Sequence, residues 1–179
     1  MNEHDWLNGT DPHAMLDRLY ASEKADRRKI GFYFGECCGL IQRSVVVQGI
    51  RRTPNFNADD HDYDQDALTE AQFHLGSAIY EAIRTIGNNN GEHAYLATIL
   101  RDVFGNPFRP IIIDPRWLTS TVVDISRAIY EQRAFDKMPI LADALMDAGC
   151  DSEEILAHCR GTGPHVRGCW VVDLLLGKE

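Results

Sequence analysis

Apolar residues recur at three- and four-residue steps along most of this chain, which is the spacing of one buried face of an α-helix. In the segment 26–48, for example, Ile30, Tyr33 and Cys37 follow this spacing. Glycine, proline and helix-capping residues separate the periodic segments. The predicted helices span residues 12–21, 26–48, 67–86, 92–104, 120–133, 139–147, 151–159 and 169–176. The sequence therefore predicts an all-α fold, an irregular bundle of about seven to eight helices.

The length of the chain favours a single domain. With 179 residues it can bury its own core, so we expect one helical domain over residues 1–179. Within it, residues 53–66 are crowded with aspartate and contain the alternating acids that begin a calcium-binding loop. Gln65 and Ala71 stand where such a loop needs glycine and glutamate. We therefore predict a solvated acidic loop there.

A proline-rich segment at residues 105–115 also interrupts the helical pattern. Pro107 and Pro110 exclude a regular helix, because proline lacks a backbone N–H donor and clashes with the preceding turn. The triplet that follows, residues 111–113, consists of isoleucine alone. We expect an extended, buried segment that crosses the helices.

Charge and hydropathy argue against two large classes of function. The formal net charge is −9, and an acidic protein repels the phosphate backbone, so nucleic-acid binding is not expected. No apolar run approaches the roughly 20 residues that a membrane span needs.

The N-terminus is polar and acidic, unlike a signal peptide, so we expect a cytoplasmic protein. In that reducing compartment its five cysteines are expected to be thiols or metal ligands.

The densest group of metal-binding side chains lies in the Gly/His/Cys/Arg-rich loop at residues 158–170. His158, His165 and Cys169 belong to it, and Cys150 precedes it. Four histidine and cysteine ligands close in sequence are typical of a structural zinc site. The alternative is that Cys169 is a small core residue of the last helix and that Cys150 only follows a helix end. Both histidines would then bond the neighbouring backbone. We expect no cofactor, although this pattern of ligands would allow zinc.

The same loop could instead bind an anion. Its glycines free backbone N–H groups, and Arg160, His165 and Arg167 bring positive charge, a combination that suits phosphate or carboxylate. The alternative is structural, since loop arginines also bond helix carbonyls or acids such as Asp143 and Asp173.

Three stretches of the C-terminal half resemble the signature of a large bacterial family of helical proteins. They are LRDVFGNPFRP at residues 100–110, LADAL at 141–145 and RGTGPHVRGCW at 160–170. The family has no assigned biochemical activity. The resemblance covers residues 100–179 and, more loosely, residues 6–38, and it implies an all-helical structure and no mechanism.

Catalysis finds little support in the sequence. Cys159, His165 and Asp173 could serve as nucleophile, base and orienting acid, but no nucleophile elbow, phosphate-binding loop or metalloprotease motif is present. We therefore favour a non-catalytic interaction or regulatory module with an unknown protein partner. The alternatives are a metal-dependent or Cys/His hydrolase centred on the 158–170 loop, and a structural zinc domain.

Truncation of Trp170 tests whether the loop at residues 158–170 stabilises the fold. If the indole is buried, Trp170→Ala should lower the free energy of unfolding by about 3–5 kcal/mol, measured by chemical denaturation. A loss below about 1 kcal/mol would identify Trp170 as an exposed contact residue.

Overall fold

The computed structural model describes residues 1–22, 24, 26–45, 83 and 90–178 of the chain. These residues form eight α-helices and two short 3-10 turns, and no strand occurs among them. The helices are α1 (Glu3–Asn8), α2 (Pro12–Ala21), α3 (Arg27–Val45), α4 (Asn90–Phe104), α5 (Ser120–Gln132), α6 (Met138–Asp147), α7 (Glu153–Arg160) and α8 (Trp170–Leu176). The all-α prediction is confirmed. Within the described segments, no helix combines the length and the hydropathy needed to cross a bilayer.

Two predicted elements cannot be compared with the structure. The acidic loop at residues 53–66 lies outside the described residues, and so does the predicted helix at 67–86 apart from Ile83. Ile83 itself is helical and fully buried.

Capping side chains set most of the helix boundaries. The Asp11 carboxylate accepts hydrogen bonds from the backbone N–H groups of His13 and Ala14, and Pro12 needs no donor at the first helical position, so α2 begins where predicted. Thr119 caps α5. Ser152 caps α7.

The first helix, α1, was not predicted. It is a six-residue helix, too short for apolar periodicity to identify. A reciprocal capping box starts it, in which Asn2 Oδ1 accepts from the backbone N–H of Asp5 at 2.9 Å and Asp5 Oδ2 accepts from that of Asn2 at 3.1 Å. The fully buried Trp6 side chain then packs the helix into the core.

The chain divides into two compact units, Met1–Leu100 and Arg101–Glu179. They are called the N-terminal and C-terminal units below, and the prediction of one domain over residues 1–179 stays a prediction. In the N-terminal unit, the core is built from fully buried side chains of α1 to α4, which include Trp6, Met15, Leu16, Leu19, Tyr33 and Leu96. The Tyr95 hydroxyl donates to Glu36 Oε2 at 3.3 Å and so joins α4 to α3.

The C-terminal unit packs α6 against α7 and α5 against both α8 and α6. Its shared core contains the fully buried residues Val122, Ile129, Leu141, Leu145, Ile155 and Val171. The last helix is buried, since five of the seven residues of α8 are almost inaccessible to solvent. Trp170, at the start of that helix, is only 7% exposed.

The segment at residues 105–115 forms no regular α-helix, as predicted, but it turns at residues 107–109 instead of staying extended, and it is buried only in part. Ile112 is 89% exposed, whereas Ile111 and Ile113 are half-buried and pack against the core of the C-terminal unit. The reason is geometric, since successive side chains of an extended chain point to opposite sides. Three consecutive isoleucines therefore cannot all face the same core.

Gly105 ends α4 and allows the segment after it to approach Trp170. Its φ of +63° is left-handed, and a Cβ atom added there would lie 3.0 Å from Cγ of Trp170 and 3.1 Å from Cδ2. This close approach places the last turn of α4 beside the loop that precedes α8.

We expect Gly105→Ala to lower the free energy of unfolding by about 2–4 kcal/mol, because it adds a steric clash to the strain of a left-handed alanine. The matched control is Gly149→Ala. Gly149 also has a positive φ, of 82°, but its added Cβ would meet nothing within 4 Å. The control should therefore lose only about 1–2 kcal/mol in the same denaturation experiment. Equal losses would contradict the tight contact with Trp170.

Candidate metal centre

Four potential metal ligands converge in the C-terminal unit. Asp102 lies in the last turn of α4, His158 in the last turn of α7, His165 in the loop at residues 161–169, and Cys169 directly before α8. One ligand atom from each residue falls within 4.8 Å of all the others. Side chains from three separate stretches of the chain are thus close enough to hold one metal ion.

The group is shielded from solvent. The side chains of Asp102, His165 and His158 are 3%, 9% and 18% exposed, and Cys169 is 1% exposed. In such an environment an unpaired charge is costly, and each hydrogen bond or ion pair is stronger than it would be in water. The polar atoms of this group therefore have to pair with one another.

Asp102 is the centre of the hydrogen bonds within the group. Its Oδ1 lies 2.7 Å from His165 Nδ1 and 3.2 Å from His158 Nε2. Its Oδ2 accepts the backbone N–H of Val166 at 2.8 Å. The carboxylate therefore positions both histidines and also the backbone of the loop at Val166.

These contacts decide the charge of Asp102. Burial raises the pKa of its carboxyl, but the hydrogen bonds from His158 and His165, the charge interaction with His158 and the N–H of Val166 together outweigh burial, so the pKa is lowered. Asp102 is consequently ionised at neutral pH. A buried carboxylate with several donors around it is a strong site for a cation.

His158 connects Asp102 to the two residues that start α8. Its Nε2 lies 3.1 Å from Cys169 Sγ, and its Nδ1 accepts the indole N–H of Trp170 at 3.1 Å. The His158 ring centroid is 5.2 Å from that of Trp170 and 4.9 Å from that of His165. Both nitrogens of His158 are therefore engaged.

Cys169 carries a neutral thiol in this environment. Burial raises its pKa well above the ordinary value, and the nearby Asp102 carboxylate raises it further, while the backbone N–H groups of Val172 and Val171 act in the opposite direction. A thiol of this kind is a poor nucleophile. Coordination to a metal ion would remove its proton, because a bound cation stabilises the thiolate.

Three of the four predicted metal ligands are brought together, but Cys150 is not a member of the group. Its backbone N–H donates to the Leu145 carbonyl at 2.9 Å, in the turn that closes α6. Burial raises the pKa of Cys150. Burial also raises the pKa of Cys159 to about 12, and the proximity of Cys150 adds to that rise. Both residues are buried thiols of the helical core.

The contacts of the predicted anion-binding arginines favour the structural alternative. Arg160 bonds Met146 Sδ and lies 3.8 Å from Asp143 Oδ1, and both partners belong to α6. The guanidinium of Arg167 lies over the ring of Tyr130, 4.8 Å from its centroid. Anion binding by Arg160, His165 and Arg167 stays a prediction.

Sequence reasoning missed Asp102 as a ligand. One signal was available, since Asp102 follows Ile99 by one helical turn, on the apolar side of α4 that also carries Val103. A carboxylate at such a position needs buried partners. Its partners, however, are more than fifty residues further along the chain, where no local pattern connects them to α4.

The lowered pKa of Asp102 predicts how stability depends on pH. Because the folded-state pKa lies below the ordinary 3.8, the ionised carboxylate stabilises the fold above that value, and the contribution is lost as pH falls through the folded-state pKa. In metal-free buffer, Asp102→Asn should lower the free energy of unfolding by about 2–4 kcal/mol at neutral pH. Below about pH 4 the free energy of unfolding of the variant should fall less steeply with pH than that of wild type.

The control for this change is Asp114→Asn. Asp114 is also a carboxylate with a lowered pKa, caused by its hydrogen bonds with Arg116 at the surface. Surface ion pairs contribute little to stability, so the free energy of unfolding of this variant should fall at low pH as steeply as that of wild type. If the free energy of unfolding of Asp102→Asn also falls at low pH as steeply as that of wild type, the buried carboxylate is not the group that titrates.

Comparisons with known proteins give no homologue: no family model matches the chain, and neither a curated protein nor a solved structure matches it. Membership of the bacterial helical family stays a prediction from the quoted motifs. Function has to be inferred from the geometry of the side chains.

Proposed function

We propose that residues 101–178 form a non-catalytic helical module whose fold is locked by one structural zinc-type ion, held by Asp102, His158, His165 and Cys169. The observation that carries this proposal is the convergence of four ligand atoms within 4.8 Å of one another in a buried site. Regulation or binding of a protein partner by this module stays a prediction.

The donor set suits zinc better than the hard cations. Imidazole nitrogen and cysteine sulfur favour zinc and related transition metals, whereas calcium and magnesium select oxygen ligands. Around tetrahedral zinc, ligand atoms are spaced about 3.3–3.8 Å apart, as follows from bonds of about 2.0–2.3 Å. His158 Nε2 already lies 3.1 Å from Cys169 Sγ and 3.2 Å from Asp102 Oδ1, so small shifts would bring these two pairs to that spacing.

A structural role is favoured over a catalytic one. Four protein ligands fill a tetrahedral shell and leave no position for water or substrate, which a catalytic zinc requires. Cys169 also lacks the thiolate that a Cys/His hydrolase uses as its nucleophile, because burial raises the pKa of its thiol. The ion would instead tie the ends of α4 and α7 to the start of α8.

Metal analysis tests this proposal directly. The whole chain, purified without an affinity tag, should contain one zinc per molecule by elemental analysis. A strong chelator should lower its melting temperature, because an ion that binds only the folded state stabilises that state. No zinc after loading and no change in melting temperature with chelator would contradict the proposal.

Two cysteine variants provide a matched comparison. Cys169→Ser should weaken zinc affinity by at least about 100-fold, since it replaces a soft ligand of the proposed site. Cys150→Ser makes the same change in another buried cysteine that lies outside the group, so it should retain the metal. Equal loss of zinc in both variants would show that Cys169 is not a specific ligand.

A further inference from the structure

The indole of Trp170 determines which nitrogen of His158 carries the hydrogen. Trp170 Nε1 can only donate, and it lies 3.1 Å from His158 Nδ1, so that nitrogen must accept. A neutral imidazole has one N–H group, which is therefore on Nε2. There it faces Asp102 Oδ1 at 3.2 Å and Cys169 Sγ at 3.1 Å.

His165 is held in the opposite tautomer. Its Nδ1 lies 2.7 Å from Oδ1 of Asp102, and an ionised carboxylate can only accept, so Nδ1 is the donor. The lone pair of His165 is consequently on Nε2, which is buried and has no hydrogen-bond partner among the described residues.

The two histidines thus differ in how they can meet a metal ion. His165 faces Asp102 with the N–H group of Nδ1, so binding an ion beside that carboxylate would move its hydrogen to Nε2, which has no hydrogen-bond partner among the described residues. His158 faces Asp102 and Cys169 with an N–H group, so binding through Nε2 requires its hydrogen to move to Nδ1. At Nδ1 that hydrogen would point at the indole N–H of Trp170, and two donors would oppose each other.

We infer that Trp170 is a positioning residue that opposes the bond between His158 and the metal. This inference rests on the proposed metal site and concerns the same four ligands. In the metal-free chain the indole stabilises the tautomer of His158 that cannot coordinate, and the indole–imidazole hydrogen bond has to break when the ion binds. Trp170 therefore weakens metal affinity while it strengthens the metal-free fold.

Packing keeps the indole where it exerts this effect. Gly105 lies so close to the Trp170 ring that even a Cβ atom there would be 3.0 Å from Cγ. Trp170 is also 7% exposed, at the buried start of α8. The ring consequently has little freedom to turn its N–H away from His158 without repacking the end of α4.

The test is the zinc affinity of Trp170→Phe, measured on the full chain by competition with a chromophoric chelator. Phenylalanine keeps an aromatic ring but removes the N–H donor. The hydrogen bond exists only in the metal-free state, so its loss should make zinc binding about threefold to tenfold tighter. If Trp170 merely supported the ligands by packing, the same variant would bind zinc more weakly, and an unchanged or weaker affinity overturns the inference.

Trp117→Phe is the matched control. Trp117 belongs to the same hydrophobic core and is also 7% exposed, but it is not a hydrogen-bond partner of either histidine in the described contacts. Its replacement should leave zinc affinity within about twofold of wild type. A gain equal to that of Trp170→Phe would assign the effect to loosening of the core and overturn the inference.

A second measurement is independent of metal binding and of the stability of any variant. Long-range proton–nitrogen NMR correlations on the chelator-treated wild type should show His158 with its hydrogen on Nε2 and His165 with its hydrogen on Nδ1. The reverse tautomer at His158 overturns the inference. If the wild type binds no zinc, the proposed function fails, whereas the tautomers still decide whether Trp170 controls His158.

Discussion

Burial of the Asp102 carboxylate is the constraint on which the C-terminal unit depends. An ionised group that is 3% exposed is costly unless donors surround it. His165, His158 and the backbone N–H of Val166 supply those donors. The end of α4, the end of α7 and the loop before α8 are thereby fixed to one point, because moving any of them would leave a buried charge without a partner.

Packing reinforces this electrostatic constraint. Gly105 brings the chain after α4 against the Trp170 ring, and the Trp170 indole bonds His158. A chain of contacts therefore runs from the backbone at the end of α4, through one aromatic ring, to the imidazole beside Asp102. These hydrogen bonds pair the polar atoms of the four side chains without an ion, except for Nε2 of His165. A bound ion would have to compete with those bonds, and in our proposal Trp170 thereby lowers the affinity of the site without being a ligand.

The sequence predicted the helices well wherever capping and periodicity agreed. The helix predicted at 12–21 has those bounds in α2, which Asp11 caps, and the one predicted at 151–159 lies within two residues of α7, which Ser152 caps. Periodicity could not identify α1, whose stability comes from a local capping box and from burial of Trp6. Burial of residues 105–115 was mispredicted because composition was considered without the alternation of an extended chain.

The candidate site was only partly predictable for a different reason. His158, His165 and Cys169 lie within one short stretch, so their proximity in space follows from proximity in sequence. Cys150 is equally close in sequence to His158, but the turn at the end of α6 makes it a core residue. Asp102 reaches the group only through tertiary packing of α4 against the loop, and local patterns carry no information on that contact.

The most direct test of the central claim, that these four side chains hold one ion, is X-ray absorption spectroscopy at the zinc edge of the loaded chain. Coordination by Asp102, His158, His165 and Cys169 predicts one sulfur at about 2.3 Å and three nitrogen or oxygen neighbours at about 2.0 Å. A shell without sulfur, or one of six light atoms, would contradict the claim. Such a result would leave the Asp102 cluster as a hydrogen-bonded lock of the helical fold.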